Sequence, residues 1–297
     1  MRYPLSVLPL FALVLGCGVG TEPLVCGEGE LLDGEQCVPE ACGTGTWGDL
    51  DTDGDTLYVD AASDPGGDGS KAHPFTRIQD GLDAQQERAM VAVAAGTYVE
   101  NLQMTSDHSG VHLAGRCREL VTVDASQGSE ESWEQGCGVY LEKTVLVSGW
   151  TVSDLTVIGA PWVGIYQHEG ELTLDRIDAV GCGRRGIAVE YGSLEASDCR
   201  VRDNLEIGMY LSSGSFVLER MEILDTQPDG DGDLGHGLHL RNSSVELVDS
   251  LLEGNHDVGV LLESTDGVLQ GVEILDTRSG QDEFGAGLVA QDQSFLV

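Results

Sequence analysis

Glycines Gly164, Gly186, Gly208, Gly237, Gly259 and Gly287 each precede an apolar residue (Ile165, Ile187, Met209, Leu238, Val260, Leu288) and recur at intervals of 22, 22, 29, 22 and 28 residues. A fixed period of roughly 20–50 residues is the mark of a solenoid, in which one unit cannot bury its apolar face alone and stacking supplies the core. With each Gly as position zero, position ten reads Leu174, Ala196, Leu218, Leu247 and Leu269. Positions eight, thirteen and fifteen are apolar too, as in Leu172, Ile177, Val201, Ile223 and Ile274, and polar residues alternate with them. That period of two marks short strands with one buried face, and units stacked about 4.8 Å apart turn each column into a parallel sheet. The expected fold is therefore an all-β parallel solenoid with coils of about 22 residues.

The polar columns support the same register. Position twelve reads Arg176, Asp198, Arg220, Asp249 and position fourteen reads Asp178, Arg200, Glu222, so opposite charges alternate from coil to coil. Such ladders contribute about 0.2–1 kcal/mol per neighbouring pair, and they read as structural rather than as a sugar-binding stripe. Position eighteen (Cys182, Asn204, Thr226, Asn255, Thr277) reads as small polar side chains at an inward turn, satisfying buried backbone groups. Cys182 and Cys199 fall in different columns and are not expected to pair.

Acidic residues outnumber basic ones 51 to 15, a formal charge of −36, which excludes nucleic acid and anionic membrane surfaces as main partners and leaves cations and neutral polymers. The opening "MRYPLSVLPLFALVLGC" has one early Arg and an apolar run too short to span a membrane, so residues 1–16 read as an export signal. Its ending, Leu15-Gly16-Cys17, resembles the lipobox of bacterial lipoproteins. That resemblance implies lipidation of Cys17, and Gly18 after it implies the outer membrane or cell surface. Export permits disulfides. Residues 17–56 form an acidic linker in which Cys26, Cys37 and Cys42 offer one bridge, while Cys117 and Cys137 offer the ends of a second loop.

Residues 57–297 form the solenoid. "TLYVDAA" reads as a strand, "FTRIQDGLDAQQER" as a short amphipathic helix with Ile78 and Leu82 inward, and "MVAVAAGTYVENLQM" as two strands around a turn at Gly96. The run "YVDAASDPGGDGSKAHPFTRIQDGLDA" leading into "VAVAAGTYVENL" resembles the entry segment of the pectin-lyase-like right-handed parallel β-helix superfamily, by motif over residues 57–125 and by repeat beyond. The resemblance implies a right-handed parallel β-helix with a short N-terminal capping helix.

Two long units insert after "EILDT", at "QPDGDGDLGH" and "RSGQDEFGA", and insertions into a solenoid emerge on one face, often the binding face. Asp229, Asp231, Asp233, Asp282 and Glu283 therefore mark a candidate binding face. Asp203 and Asp225, stacked at position seventeen beside Asp229, Asp231 and Asp233, form a crowd of carboxylates suited to Ca²⁺, which takes oxygen ligands. A second calcium candidate, "DLDTDGDTLYVD", holds Asp49, Asp51, Asp53, Asp55 and Asp60; it resembles an EF-hand or dockerin loop but ends in Asp and lacks flanking helices.

Enzymes of the resembled superfamily include pectate lyases, which use Ca²⁺ with an Arg or Lys base, and polygalacturonases, which use clustered Asp and a Gly-His-Gly motif. Gly235-His236-Gly237 is present, but the Asn-Thr-Asp and Arg-Ile-Lys motifs are missing, so it reads as accidental. Only two lysines occur, Lys71 and Lys143, and Arg184 or Arg185 is the candidate base that no ladder explains. His168, His239 and His256 occupy different columns and read as surface residues. The chain stops at Val297, position ten of a unit, with Phe295 and Val297 on inward columns, and so reads as truncated. The expectation is a lipid-anchored cell-surface β-helix, calcium-supported, serving as a glycan-binding or adhesion scaffold. A polysaccharide lyase or glycoside hydrolase is the second reading and a purely structural surface protein the third.

Overall fold

The computed structural model describes residues 26–27, 29–34, 36–84, 90–142, 149–279 and 285–296. From residue 57 onward, 22 short strands wind as a coil, and every pairing between them is parallel. The strands stack in three columns. Face I comprises Leu102–Met104, Cys137–Glu142, residues 163–168 and 185–190, Ile207–Ser212, His236–Arg241, Val258–Glu263 and Ala286–Gln291. Face II follows in each coil, as in Ser215–Glu219 and Ser244–Val248, and face III closes it, as in Glu222–Leu224 and Leu251–Glu253.

The register matches the 22-residue count. Ile165, Ile187, Met209, Leu238, Val260 and Leu288 are successive partners, as are Leu174, Ala196, Leu218, Leu247 and Leu269. Inward residues of all three faces form one continuous core from Val59 to Leu262. The glycine that opens each unit is required by closeness: a Cβ on Gly164 or Gly208 would lie 2.6 Å from the carbonyl oxygen of the next unit's glycine. No side chain fits there without parting the coils.

Corners between faces use left-handed backbone. At position twelve Asp154, Arg176, Asp198, Arg220 and Asp249 have φ between 47° and 58°; at position seventeen Gly159, Gly181, Asp203, Asp225 and Gly254 have φ between 50° and 68°. Asp and Gly interchange at position seventeen because they tolerate this conformation best. Arg176 and Arg220 do not favour it, and each is held by two hydrogen bonds to the aspartate one coil earlier, Asp154 at 2.6 and 2.8 Å and Asp198 at 2.8 and 2.8 Å. At the inward turn, Asn204 Oδ1 accepts from the Cys182 amide at 2.9 Å and its Nδ2 donates to Ala179 O at 3.0 Å. Asn255 repeats the pattern with the Thr226 amide and Ile223 O.

The helix α1 (Ile78–Ala84) packs Ile78 and Leu82, both fully buried, onto the first coil. Around Gly96 the expected two strands are three, Met90–Val93, Gly96–Tyr98 and Leu102–Met104, because the apolar run turns two corners and contributes to all three faces. Cys26 bridges Cys37, as the spacing allows. The pairing of Cys117 is a correction: it joins Cys42, while Cys137, Cys182 and Cys199 are free and buried. Buried Arg116 reinforces that junction by donating to Asp33 at 2.7 Å and to the carbonyls of Cys42 and Gly43, so the Cys-containing segment docks on the solenoid.

Candidate functional site

The outward columns of the three faces differ in burial. On face II, outward Glu195 and Glu246 are exposed, and Val217 and Val268 are 38% and 44% exposed, as expected of a sheet that faces water. On face I the outward column reads Tyr140, Tyr166, Ala188, Tyr210, His239, Leu261. Tyr140 and Tyr166 are only 7% and 5% exposed although they lie outside the solenoid core. Loops that leave the coil between faces III and I account for this cover.

At one end, the short helix α2 (Trp133–Gly136) sets the Trp133 ring 4.7 Å from Tyr166 in a stacked contact and 4.9 Å from Trp162 edge-on. At the other end, Gln227 pairs with Leu205 and His236 with Ile207, so residues 228–234 are extruded as a seven-residue bulge beside face I. In the later long unit Arg278 pairs with His256 and Ala286 with Val258. Between these ends the outward side of face I carries a row of aromatic and imidazole rings.

Ala188 leaves a gap between Tyr166 and Tyr210, and Arg185 fills it with its guanidinium 4.2 Å from the Tyr210 ring centroid. Arg184 lies 5.3 Å from the Trp162 ring. The next coils bring two imidazoles together, with His236 and His239 ring centroids 5.4 Å apart and His239 edge-on to Tyr210 at 5.3 Å. Each is tied to a carboxylate of the following coil, His236 Nε2 to Asp257 at 3.0 Å and His239 Nε2 to Glu263 at 3.1 Å. An ionised carboxylate only accepts, so Nε2 carries the proton and Nδ1 of a neutral ring is left as an acceptor.

Burial holds His239 below the ordinary imidazole value in spite of Glu263. Burial raises Glu263 in turn, but hydrogen bonds from His239 and Gln291 outweigh it and the carboxyl titrates below its usual range. Four buried polar atoms along this row have no hydrogen-bond partner: His236 Nδ1, His239 Nδ1, Arg185 Nε and Trp162 Nε1. Buried polar groups are normally paired, so four unpartnered atoms along one face mark it out chemically.

Among the described residues, no three of the carboxylates singled out from sequence converge on one point. Asp229 organises its bulge by accepting from the amides of Asp231 and Asp233, both at 2.9 Å. Asp203 pairs with Arg202 at 3.2 Å and Asp225 with Arg278 at 3.1 Å. Asp53 accepts from the Asp55 amide and the Thr56 hydroxyl, Asp60 accepts from the Ala62 amide, and Asp49 and Asp51 are exposed on the entry loop. Among the described residues, three potential metal-ligating atoms converge only at Cys42, Cys117 and Glu119, where two are the disulfide sulfurs. Cys17, Asp282 and Glu283 lie outside the described residues.

One expectation about histidines needs correction: His239 packs among the rings of face I rather than on the open surface. The histidine of Gly235-His236-Gly237 is 5% exposed and bound to a carboxylate. Neither was legible column by column, because each imidazole meets its carboxylate only across stacked coils. Arg185, the arginine that no ladder explained, sits within this row.

The profile of the family described as the right handed beta helix region matches residues 91–277. The chain belongs to this family. Solved structures similar to this β-helix include a pectate lyase, 16% identical over 81% of this chain and 74% of that one, with a TM-score of 0.49. The pectin methylesterase from carrot is 12% identical over 82% and 91%, TM-score 0.45. A polygalacturonase from Erwinia carotovora is 10% identical over 79% and 96%, TM-score 0.30. No curated protein sequence matches the chain.

Proposed function

We propose that this right-handed β-helix is a surface scaffold that binds a glycan chain along the outward side of face I. One observation carries the reading: the outward side of face I alternates aromatic rings with buried, unpartnered polar atoms. Pyranose rings present apolar C–H faces and hydroxyl edges, so a site for them needs flat apolar surfaces and a few placed donors and acceptors. The run of face I along the solenoid axis suits an extended chain. Export and lipid attachment at Cys17 complete the proposal, supported by the Leu15-Gly16-Cys17 ending. Metabolic labelling with a fatty-acid analogue, present in the native chain and absent in Cys17→Ala, tests that part.

Calorimetric titration with a polysaccharide panel, coupled to an assay for new reducing or unsaturated ends, tests the binding. Saturable binding that Tyr210→Ala weakens at least tenfold, without new chain ends, is the expected result. A second reading, a polysaccharide-active enzyme, is favoured by the two carboxylate-bound imidazoles 5.4 Å apart, an arrangement able to move protons. Chain ends that appear with the native protein and vanish with His239→Ala would establish it in place of the scaffold.

A further inference from the structure

Resting on the glycan reading above, we infer that the outward side of face I selects an uncharged glycan and rejects polyuronates. Its hydrogen-bonding inventory is the first ground. In neutral rings that donate through Nε2, His236 Nδ1 and His239 Nδ1 are lone-pair acceptors, and Asp257 and Glu263 behind them are acceptors as well. A ligand that meets them has to donate. A sugar hydroxyl both donates and accepts, whereas a uronate carboxylate only accepts and would face lone pairs and negative charge. Burial disfavours the protonation of His239 that would turn its acceptor into a donor.

Charge is the second ground. The three arginines beside the row of rings are each neutralised by a neighbour: Arg184 lies 3.8 Å from Glu206, Arg185 3.6 Å from Glu190, and Arg241 4.0 Å from Glu263. Asp257 adds a further carboxylate, so this side is net negative within a chain of charge −36. A polyanion approaching it is repelled at long range and finds no unpaired guanidinium among the described residues of the row. Arg185 contributes its face to Tyr210 and its Nε to a hydroxyl.

The test titrates the full soluble chain with neutral hexasaccharides of glucose, mannose, galactose and xylose, and with hexagalacturonate, at 20 and 500 mM salt. The expected result is binding of at least one neutral oligomer with affinity changed less than twofold by salt, and binding of hexagalacturonate at least tenfold weaker. Tighter binding of hexagalacturonate, weakened by salt, overturns this inference and leaves the glycan-binding reading standing. Binding of neither class overturns both. Glu190→Gln, which frees the Arg185 charge while keeping a group of the same shape, is expected to narrow the gap between the two classes at least threefold. An unchanged gap would show that paired charge is not what sets the selectivity.

Discussion

Asn255 shows how one side chain holds two coils. Its amide accepts from the Thr226 amide at 3.0 Å and donates to Ile223 O at 2.8 Å, both in the coil before it. Asn255→Ala orphans both groups in a dry turn, and each orphan costs about 1–3 kcal/mol, so a loss of about 2–6 kcal/mol is expected. A urea titration reads it as a lowered midpoint. The free thiols behave differently: burial pushes Cys137, Cys182 and Cys199 up to about 12, so none of the three is expected to react with a thiol reagent at pH 8 until the chain is unfolded. Fast labelling of any of them in the native protein would contradict the packing. The inward stack at position eighteen was legible from sequence, because small polar residues recur there at coil spacing. The aspartates at position seventeen recur equally well, and the left-handed backbone there is a physical reason for Asp at that position.

The bulge at 228–234 is the element that separates scaffold from site. Deleting those seven residues returns the unit to 22 residues and leaves the strands on either side in register with Leu205 and Ile207. The variant is expected to unfold in one cooperative step close to the native midpoint while glycan affinity falls at least tenfold, as calorimetry and a thermal melt would show. The strands were readable because inward positions repeat with a period of two inside a period of 22. The row of rings was half readable. Tyr140, Tyr166, Tyr210 and His239 share one position of the repeat, but Trp133 comes from α2 in a coil that breaks the repeat, and no count reveals that it lies on Tyr166. His236 and Asp257 are 21 residues apart and join only because one precedes and the other forms a corner of successive coils.

Across the whole molecule, acid is expected to weaken the fold before it discharges the surface. Burial lowers the titration of His112, His239 and His256 from the ordinary value of 6.5. Below pH 6.5 the unfolded chain therefore takes up protons that the folded chain refuses, and stability falls with pH until the folded histidines titrate too. Ordinary carboxylates titrate near pH 4, below the window from 7.5 to 5.5, so relief of the −36 self-repulsion does not mask the effect there. A urea midpoint lower at pH 5.5 than at 7.5 is expected; an unchanged or higher midpoint would contradict the burial of these rings. Added salt at pH 7.5 is expected to raise the melting temperature, since screening relieves like-charge repulsion. The claim that joins these scales is that function resides on face I. Hydrogen–deuterium exchange with and without a saturating glycan tests it most directly. Protection concentrated in Ile207–Ser212, His236–Arg241 and the bulge between them is the result expected, and protection confined to Ser215–Glu219, Ser244–Val248 or face III would contradict it.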